Sequence, residues 1–238
     1  MAPHAGSCLY CALDTSDLAT ALSYARKLRG AVGGLKLGLE FFVANGPEGV
    51  RAVVEAGGLP LFLDLKFHDI PNTAAGAVRS AVALKPAFLT IHTSGGAAMM
   101  KAAAETAHSE ADRLGIARPR LLGVTVLTSL TDRELYTVGQ ETPVAAQVER
   151  LAALAQEAGL DGVVCSPHEI AAVRAQAGDG FTIMVPGIRP ATSLLGDQKR
   201  VMTPAQAMAA GADYLVIGRP ITQDKDPAAA AKKIAAEL

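Results

Sequence analysis

Short apolar runs alternate with longer amphipathic ones along the whole chain. The strand-like runs are Cys8–Leu13, Gly34–Gly38, Leu61–Lys66, Ala87–His92, Leu121–Val126, Gly162–Cys165, Thr182–Val185 and Tyr214–Ile217. Between most of them lie alanine-rich stretches with apolar positions at helical spacing: Asp17–Leu28, Thr73–Leu84, Ala97–Leu114, Pro143–Ala158, Pro167–Ala177 and Pro204–Ala210. Ser16, Asn72, Thr142, Ser166 and Thr203 stand where helix caps are expected, the last three followed by proline at the first helical position. Gly30, Gly115, Gly159, Gly178 and Gly211 stand where helices should stop. Eight strands alternating with helices over 238 residues predict an α/β protein, a single-domain (β/α)8 TIM barrel spanning residues 1–238. A doubly wound open sheet has the same alternation. Against it, no Gly-x-Gly-x-x-Gly follows the first strand, and no linker divides the chain.

Composition narrows the function classes. Half of the residues are hydrophobic and 19% are charged, which suits a sizeable core and not a disordered chain. The net charge is −1 and no basic run exceeds Gln198-Lys199-Arg200, which argues against a nucleic-acid surface. No segment approaches the roughly 20 apolar residues of a membrane span, and the first residues lack the pattern of a secretory signal. A cytoplasmic enzyme is the expectation. Cys8 and Cys11 have redox-pair spacing, but on one strand their Cα atoms would lie about 10 Å apart and face opposite ways. They read as core thiols.

The polar residues at the expected C-terminal strand ends, where barrels build their sites, stand out. Asp14 ends the first strand, Lys36 lies in the second, and Asp64-Leu-Lys66-Phe-His-Asp69 ends the third. Residues two apart on a strand share a face, so Asp64 and Lys66 point the same way. If that face is the barrel interior, two such charges need partners or a task, and Lys36 is a candidate partner. A structural ion pair is the plainer alternative. After the seventh and eighth strands come Pro186-Gly-Ile-Arg189-Pro and Gly218-Arg219-Pro, in the loops where barrels often hold phosphate. Glycine lets backbone N–H groups approach an anion, and arginine adds a forked donor. Ordinary turns with surface arginines would look alike. Together the clusters suggest a small phosphorylated substrate with its reacting end at the Lys/Asp array.

Asp64-Leu-Lys-Phe-His-Asp-Ile-Pro-Asn-Thr73 closely resembles the signature of the orotidine 5′-monophosphate decarboxylase family. The resemblance runs in order through Leu13-Asp14, Leu35-Lys36-Leu-Gly38, His92-Thr-Ser-Gly-Gly96 and Val126-Leu-Thr128-Ser129. It continues through Pro186-Gly-Ile-Arg189-Pro, Gly196-Asp-Gln198-Lys-Arg200 and Gly218-Arg219-Pro-Ile, and it fits the short, bacterial-type branch. The resemblance implies conversion of orotidine monophosphate to uridine monophosphate and CO2 in pyrimidine biosynthesis, with no metal and no cofactor. It makes Lys66 the proton donor within a Lys36–Asp64–Lys66 array that Asp69 completes from the partner subunit of a homodimer. Asp14 and Lys36 would bind ribose hydroxyls, Thr128 would lie near the pyrimidine, and Ile70 and Thr73 would line the partner's site. Arg189, Gln198, Gly218 and Arg219 would hold the phosphate, Gln198 from a closing loop.

Two rival classes share part of this pattern. Metal-dependent decarboxylases or aldolases acting on sugar phosphates carry a similar Asp-x-Lys-x-x-Asp strand, with His68 and His92 as conceivable extra ligands. Lys36 discriminates, because an ammonium repels a divalent cation where a carboxylate would bind it. A non-catalytic binding barrel would have lost an array member, and none is missing. His4 and His108 read as solvent-facing, His168 as the start of a helix, and Tyr214 and the methionines as packing residues.

Overall fold

The computed structural model describes residues 6–190 and 202–238. Eight parallel strands close into a barrel: β1 (Leu9–Ala12), β2 (Gly34–Gly38), β3 (Leu61–Phe67), β4 (Phe88–His92), β5 (Arg120–Val124), β6 (Gly162–Val164), β7 (Thr182–Val185) and β8 (Tyr214–Ile217). The decisive pairing is β1 with β8, through Leu9↔Leu215, Tyr10↔Val216 and Cys11↔Ile217. It rules out the open sheet. Around the barrel run α1 (Leu18–Lys27), α2 (Leu39–Gly57), α3 (Pro71–Val82), α4 (Ala97–Leu114), α5 (Asp132–Thr137), α6 (Val144–Glu157), α7 (Ile170–Ala177), α8 (Pro204–Ala209), α9 (Arg219–Thr222) and α10 (Pro227–Ala235).

Local chemistry explains where the helices start and where the sequence reading slipped. Thr203 caps α8 in a capping box with Gln206, as its position before Pro204 suggests. The cap of α1 is Asp17, not Ser16: its carboxylate accepts from the Thr20 amide at 2.8 Å. Ile70 precedes Pro71 at the start of α3, which leaves Asn72 inside the helix, and Pro143 rather than Thr142 precedes α6. Helix α2 escaped the periodicity because Gly46 (φ 61°) and Pro47 kink it midway and break the apolar spacing.

Two apolar layers result. Outward-facing strand residues such as Leu9, Cys11, Leu35, Leu37, Leu63, Leu89 and Ile91 pack against the helices. The inward face holds a smaller cluster of Tyr10, Ala12, Phe62, Phe88, Leu122, Met184 and Val216. Within it Tyr10, Phe62, Phe88 and Tyr214 stack edge to face, with centroids 4.8–6.3 Å apart, and plug the barrel. Gly34 faces Tyr10 across the β1–β2 pair, and a Cβ there would lie 2.1 Å from the Tyr10 ring.

The N-terminal rim is fastened by ion pairs. Asp161 accepts a forked pair of bonds from Arg118 and one from the Leu121 amide. Asp213 accepts from Arg174 and from the Ile183 amide, while Arg174 also reaches the carbonyls of Gly178, Phe181 and Gly211. Cys11 is fully buried and burial pushes its thiol up to about 12, whereas Cys8 is only half-buried, just before β1. Neither is in a disulfide, and burial raises the Cys8 thiol as well, so neither is an activated thiol. Among the described residues, no helix is long and apolar enough to cross a membrane.

Candidate active site

Above the aromatic plug, the C-terminal mouth of the barrel opens into a cavity of about 620 Å³. Its apolar floor is Ala12, Phe62, Val124, Val164 and Val216, inward-facing residues of five strands. That volume suits a small-molecule ligand. A more open hollow of about 870 Å³ lies at the opposite rim, where Arg118, Asp161 and Asp213 already serve the strand ends.

The charged wall comes from β1, β2 and β3. Lys36 Nζ lies 3.1 Å from Asp14 Oδ1 and 3.8 Å from Asp64 Oδ2. Lys66 Nζ lies 2.7 Å from the same Asp64 Oδ2. Asp64 is therefore shared by two ammonium groups, and it is nearly buried. Its other oxygen, Oδ1, accepts from the Thr90 hydroxyl at 3.0 Å. Low exposure makes these contacts stronger than surface pairs, whereas Asp14 projects largely into solvent. The strand carrying Lys66 is irregular: the β3–β4 register shifts between Leu63 and Phe67, and Lys66 adopts φ 50°. A left-handed lysine is unusual, and such strain gathers at functional positions.

The opposite wall comes from the loops after β7 and β8. Pro186, Gly187, Arg189, Gly218 and Arg219 line the cavity there. Arg189 is buried, its backbone held by a bond from its amide to the Met202 carbonyl. A Cβ on Gly218 would lie 3.3 Å from Ala12 Cβ and 3.5 Å from Asp14 Oδ2, so the bare backbone lets the β8 loop close against β1. Leu127 and Thr128, after β5, complete the rim.

The match to the family model described as "Orotidine 5'-phosphate decarboxylase / HUMPS family" covers residues 7–234. The chain belongs to this family. It is 57% identical over 230 residues to the orotidine 5′-phosphate decarboxylase of Paramagnetospirillum magneticum, covering 97% of both chains. It is 54% identical over 237 residues to that of Moorella thermoacetica, covering 99% of this chain and 93% of the relative. The crystal structure of orotidine 5′-phosphate decarboxylase from Lactobacillus acidophilus superposes with a TM-score of 0.85 at 35% identity, covering 96% of this chain and 97% of that one.

Of the residues that resemblance to the orotidine 5′-monophosphate decarboxylase family singled out, Asp14, Lys36, Asp64, Lys66, Thr128, Arg189, Gly218 and Arg219 all line the one cavity. Asp69, Ile70 and Thr73 do not: they are exposed beyond the end of β3, and Asp69 Oδ1 accepts from the Ile70 amide. Gln198 lies outside the described residues. His92 and His68 stand with ring centroids 5.4 Å apart. Burial, helped by His68 and Lys66, lowers His92 to about 4, so its ring is neutral at pH 7. Among the described residues no three His, Cys, Asp or Glu side chains gather as a metal site would require. His108 is exposed beside Asp112 and His168 sits in a helical turn after β6, as expected, while His4 falls outside the described residues.

Sequence reading missed Thr90, fully buried beside Asp64, and Tyr24, Thr20 and Gln223 in the cavity wall. Thr90 carried a usable signal. It stands two residues before His92 on β4, so alternation places a polar group on the inward face. Tyr24 carried none, because it reaches the site only through the fold, donating its hydroxyl to the Thr222 carbonyl at 2.8 Å.

Proposed function

We propose that the chain decarboxylates orotidine 5′-monophosphate, releasing CO2 and forming uridine 5′-monophosphate in pyrimidine biosynthesis. One observation carries the reading: Lys36, Asp64 and Lys66 alternate in sign along one wall of a cavity whose other wall presents Arg189 and Arg219. The named activity of relatives sharing more than half of the sequence supports it.

The residue types suit the chemistry. Breaking the C6–carboxylate bond leaves an electron pair in the plane of the pyrimidine ring, where no neighbouring carbonyl delocalises it. The protein must then stabilise localised negative charge. The Lys66 ammonium does so electrostatically and delivers its proton to C6, so one group is both counter-charge and acid. Asp64 keeps that ammonium aimed. A substrate carboxylate held about 4 Å from Asp64 is repelled by about 4 kcal/mol at an effective dielectric near 20, and departure of CO2 relieves it. Asp14 and Lys36 take the ribose hydroxyls and Thr128 the pyrimidine edge. Arg189, Gly218, Arg219 and Gln198 take the phosphate, whose binding energy contributes to lowering the barrier at the distant C6.

No metal or other cofactor enters this scheme. Lys36 stands between the carboxylates of Asp14 and Asp64, the place a divalent cation would need, which favours this reading over the sugar-phosphate rivals. Asp69, Ile70 and Thr73 serve the cavity of a second copy, making the working unit a homodimer. Their exposure, outside their own chain's cavity, supports that arrangement. Cys8, Cys11 and Cys165 are reduced cysteines outside any disulfide, which accords with a cytoplasmic setting. The test is orotate absorbance when purified protein meets orotidine monophosphate in excess EDTA. Rapid decay is expected. Absence of decay in folded, dimeric protein overturns the reading, and Mg²⁺ with sugar-phosphate acids is then the alternative to assay.

A further inference from the structure

The geometry points to Thr90 as a positioning residue that sets the aim of both Asp64 and Lys66 for the proposed decarboxylation, on which this inference rests. From the Leu63↔Leu89 pair to the Phe67↔Ile91 pair, β3 advances four residues while β4 advances two. The surplus buckles β3 at Asp64–Lys66, and Thr90 is the β4 residue facing the buckle. A buckled strand loses regular ladder partners, and a buried amide left unpaired is costly. The Thr90 hydroxyl takes up the slack, accepting from the Lys66 backbone N–H at 2.9 Å.

A hydroxyl has one proton. With its oxygen accepting from Lys66, that proton goes to Asp64 Oδ1 at 3.0 Å. This bond fixes the rotation of the carboxylate, so that Oδ2 faces Lys66 Nζ at 2.7 Å and Lys36 Nζ at 3.8 Å. One side chain thus holds the left-handed backbone of the lysine and the carboxylate that aims its ammonium. Thr90 is wholly buried and does not line the cavity, so it acts through its neighbours and not on substrate.

Thr90→Val keeps the shape and removes both bonds, while Thr90→Ser keeps the hydroxyl. Both variants and the parent would be assayed for kcat and KM with orotidine monophosphate, affinity for uridine monophosphate, and hydrogen exchange at the Lys66 amide. Thr90→Val should lower kcat about 100-fold, the scale of a misaimed catalytic group, with KM and nucleotide affinity within about 3-fold. Its Lys66 amide should exchange about 10-fold faster, and Thr90→Ser should restore kcat to within about 5-fold and keep the amide protected. A kcat for Thr90→Val within about 3-fold of the parent, or equal impairment in both variants, overturns the inference. If the parent itself fails to turn over substrate, the decarboxylase reading falls first. The amide then decides alone: protection lost only in Thr90→Val supports the positioning bond, and unchanged protection overturns it.

Discussion

Replacing Gly34 with alanine would drive a methyl group into the aromatic plug beneath the active-site cavity. The added Cβ would lie 2.1 Å from Tyr10 Cε1 and 2.6 Å from Cδ1 and Cζ. Ordinary carbon contacts lie near 3.5 Å or beyond, so the ring must retreat by about 1.4 Å. It has little room. Tyr10 is 3% exposed and meets Phe62, Phe88 and Tyr214 edge to face at 6.3, 5.5 and 5.8 Å. Overpacking costs about 1–3 kcal/mol, and weakening even one aromatic pair adds about 0.5–1.5 kcal/mol. A loss of about 3 kcal/mol follows, or roughly 6–12 °C in Tm for a chain of this size. Urea denaturation of the parent, Gly34→Ala, Tyr10→Leu and the double variant measures it. If the clash is the cause, the shortened side chain at position 10 should absorb most of the cost and leave a coupling energy of about 2 kcal/mol. Strict additivity, or an undiminished midpoint in Gly34→Ala, would refute the packing argument.

Lys66→Ala should reduce decarboxylation by at least about 10⁴-fold while uridine monophosphate still binds, because the ammonium is proposed to act on the reacting carbon. Near-normal turnover in the absorbance assay would remove that role. Arg174→Met should cost about 3 kcal/mol in urea unfolding and leave kcat unchanged, since its bonds to Gly178, Phe181, Gly211 and Asp213 lie at the opposite rim from the cavity. For His92, the folded state holds the ring at about 4 against an ordinary 6.5, so the unfolded chain binds the extra proton between those values. Stability should therefore fall as pH drops from 6.5 towards 4, and His92→Gln should flatten that stretch of the unfolding-midpoint profile.

Much of the fold is legible in the sequence because it follows from local periodicity. The lengths of the strand runs, the glycine stops and the Thr203–Gln206 cap depend on residues within a turn or two of each other. The two-residue repeat of a strand also foresees the shared direction of Asp64 and Lys66, although β3 buckles there and Lys66 is left-handed. Where a local signal was interrupted the reading failed, as at Gly46-Pro47 within α2. The expectation of a closed barrel rests on eight strand runs and the missing Gly-x-Gly-x-x-Gly, not on periodicity, because β1 and β8 lie some 200 residues apart and periodicity carries no information about which edges meet. The same holds for the plug, which draws Tyr10, Phe62, Phe88 and Tyr214 from four strands. It holds again for Tyr24, which meets Thr222 only across the folded rim. Sequence alone determined which chemistry the strand ends carry. Only the tertiary structure decided which of those groups share one cavity, that Thr90 bonds Asp64, and that Asp69 does not line its own chain's cavity, because such placements arise from the packing of strands side by side and not from spacing along the chain.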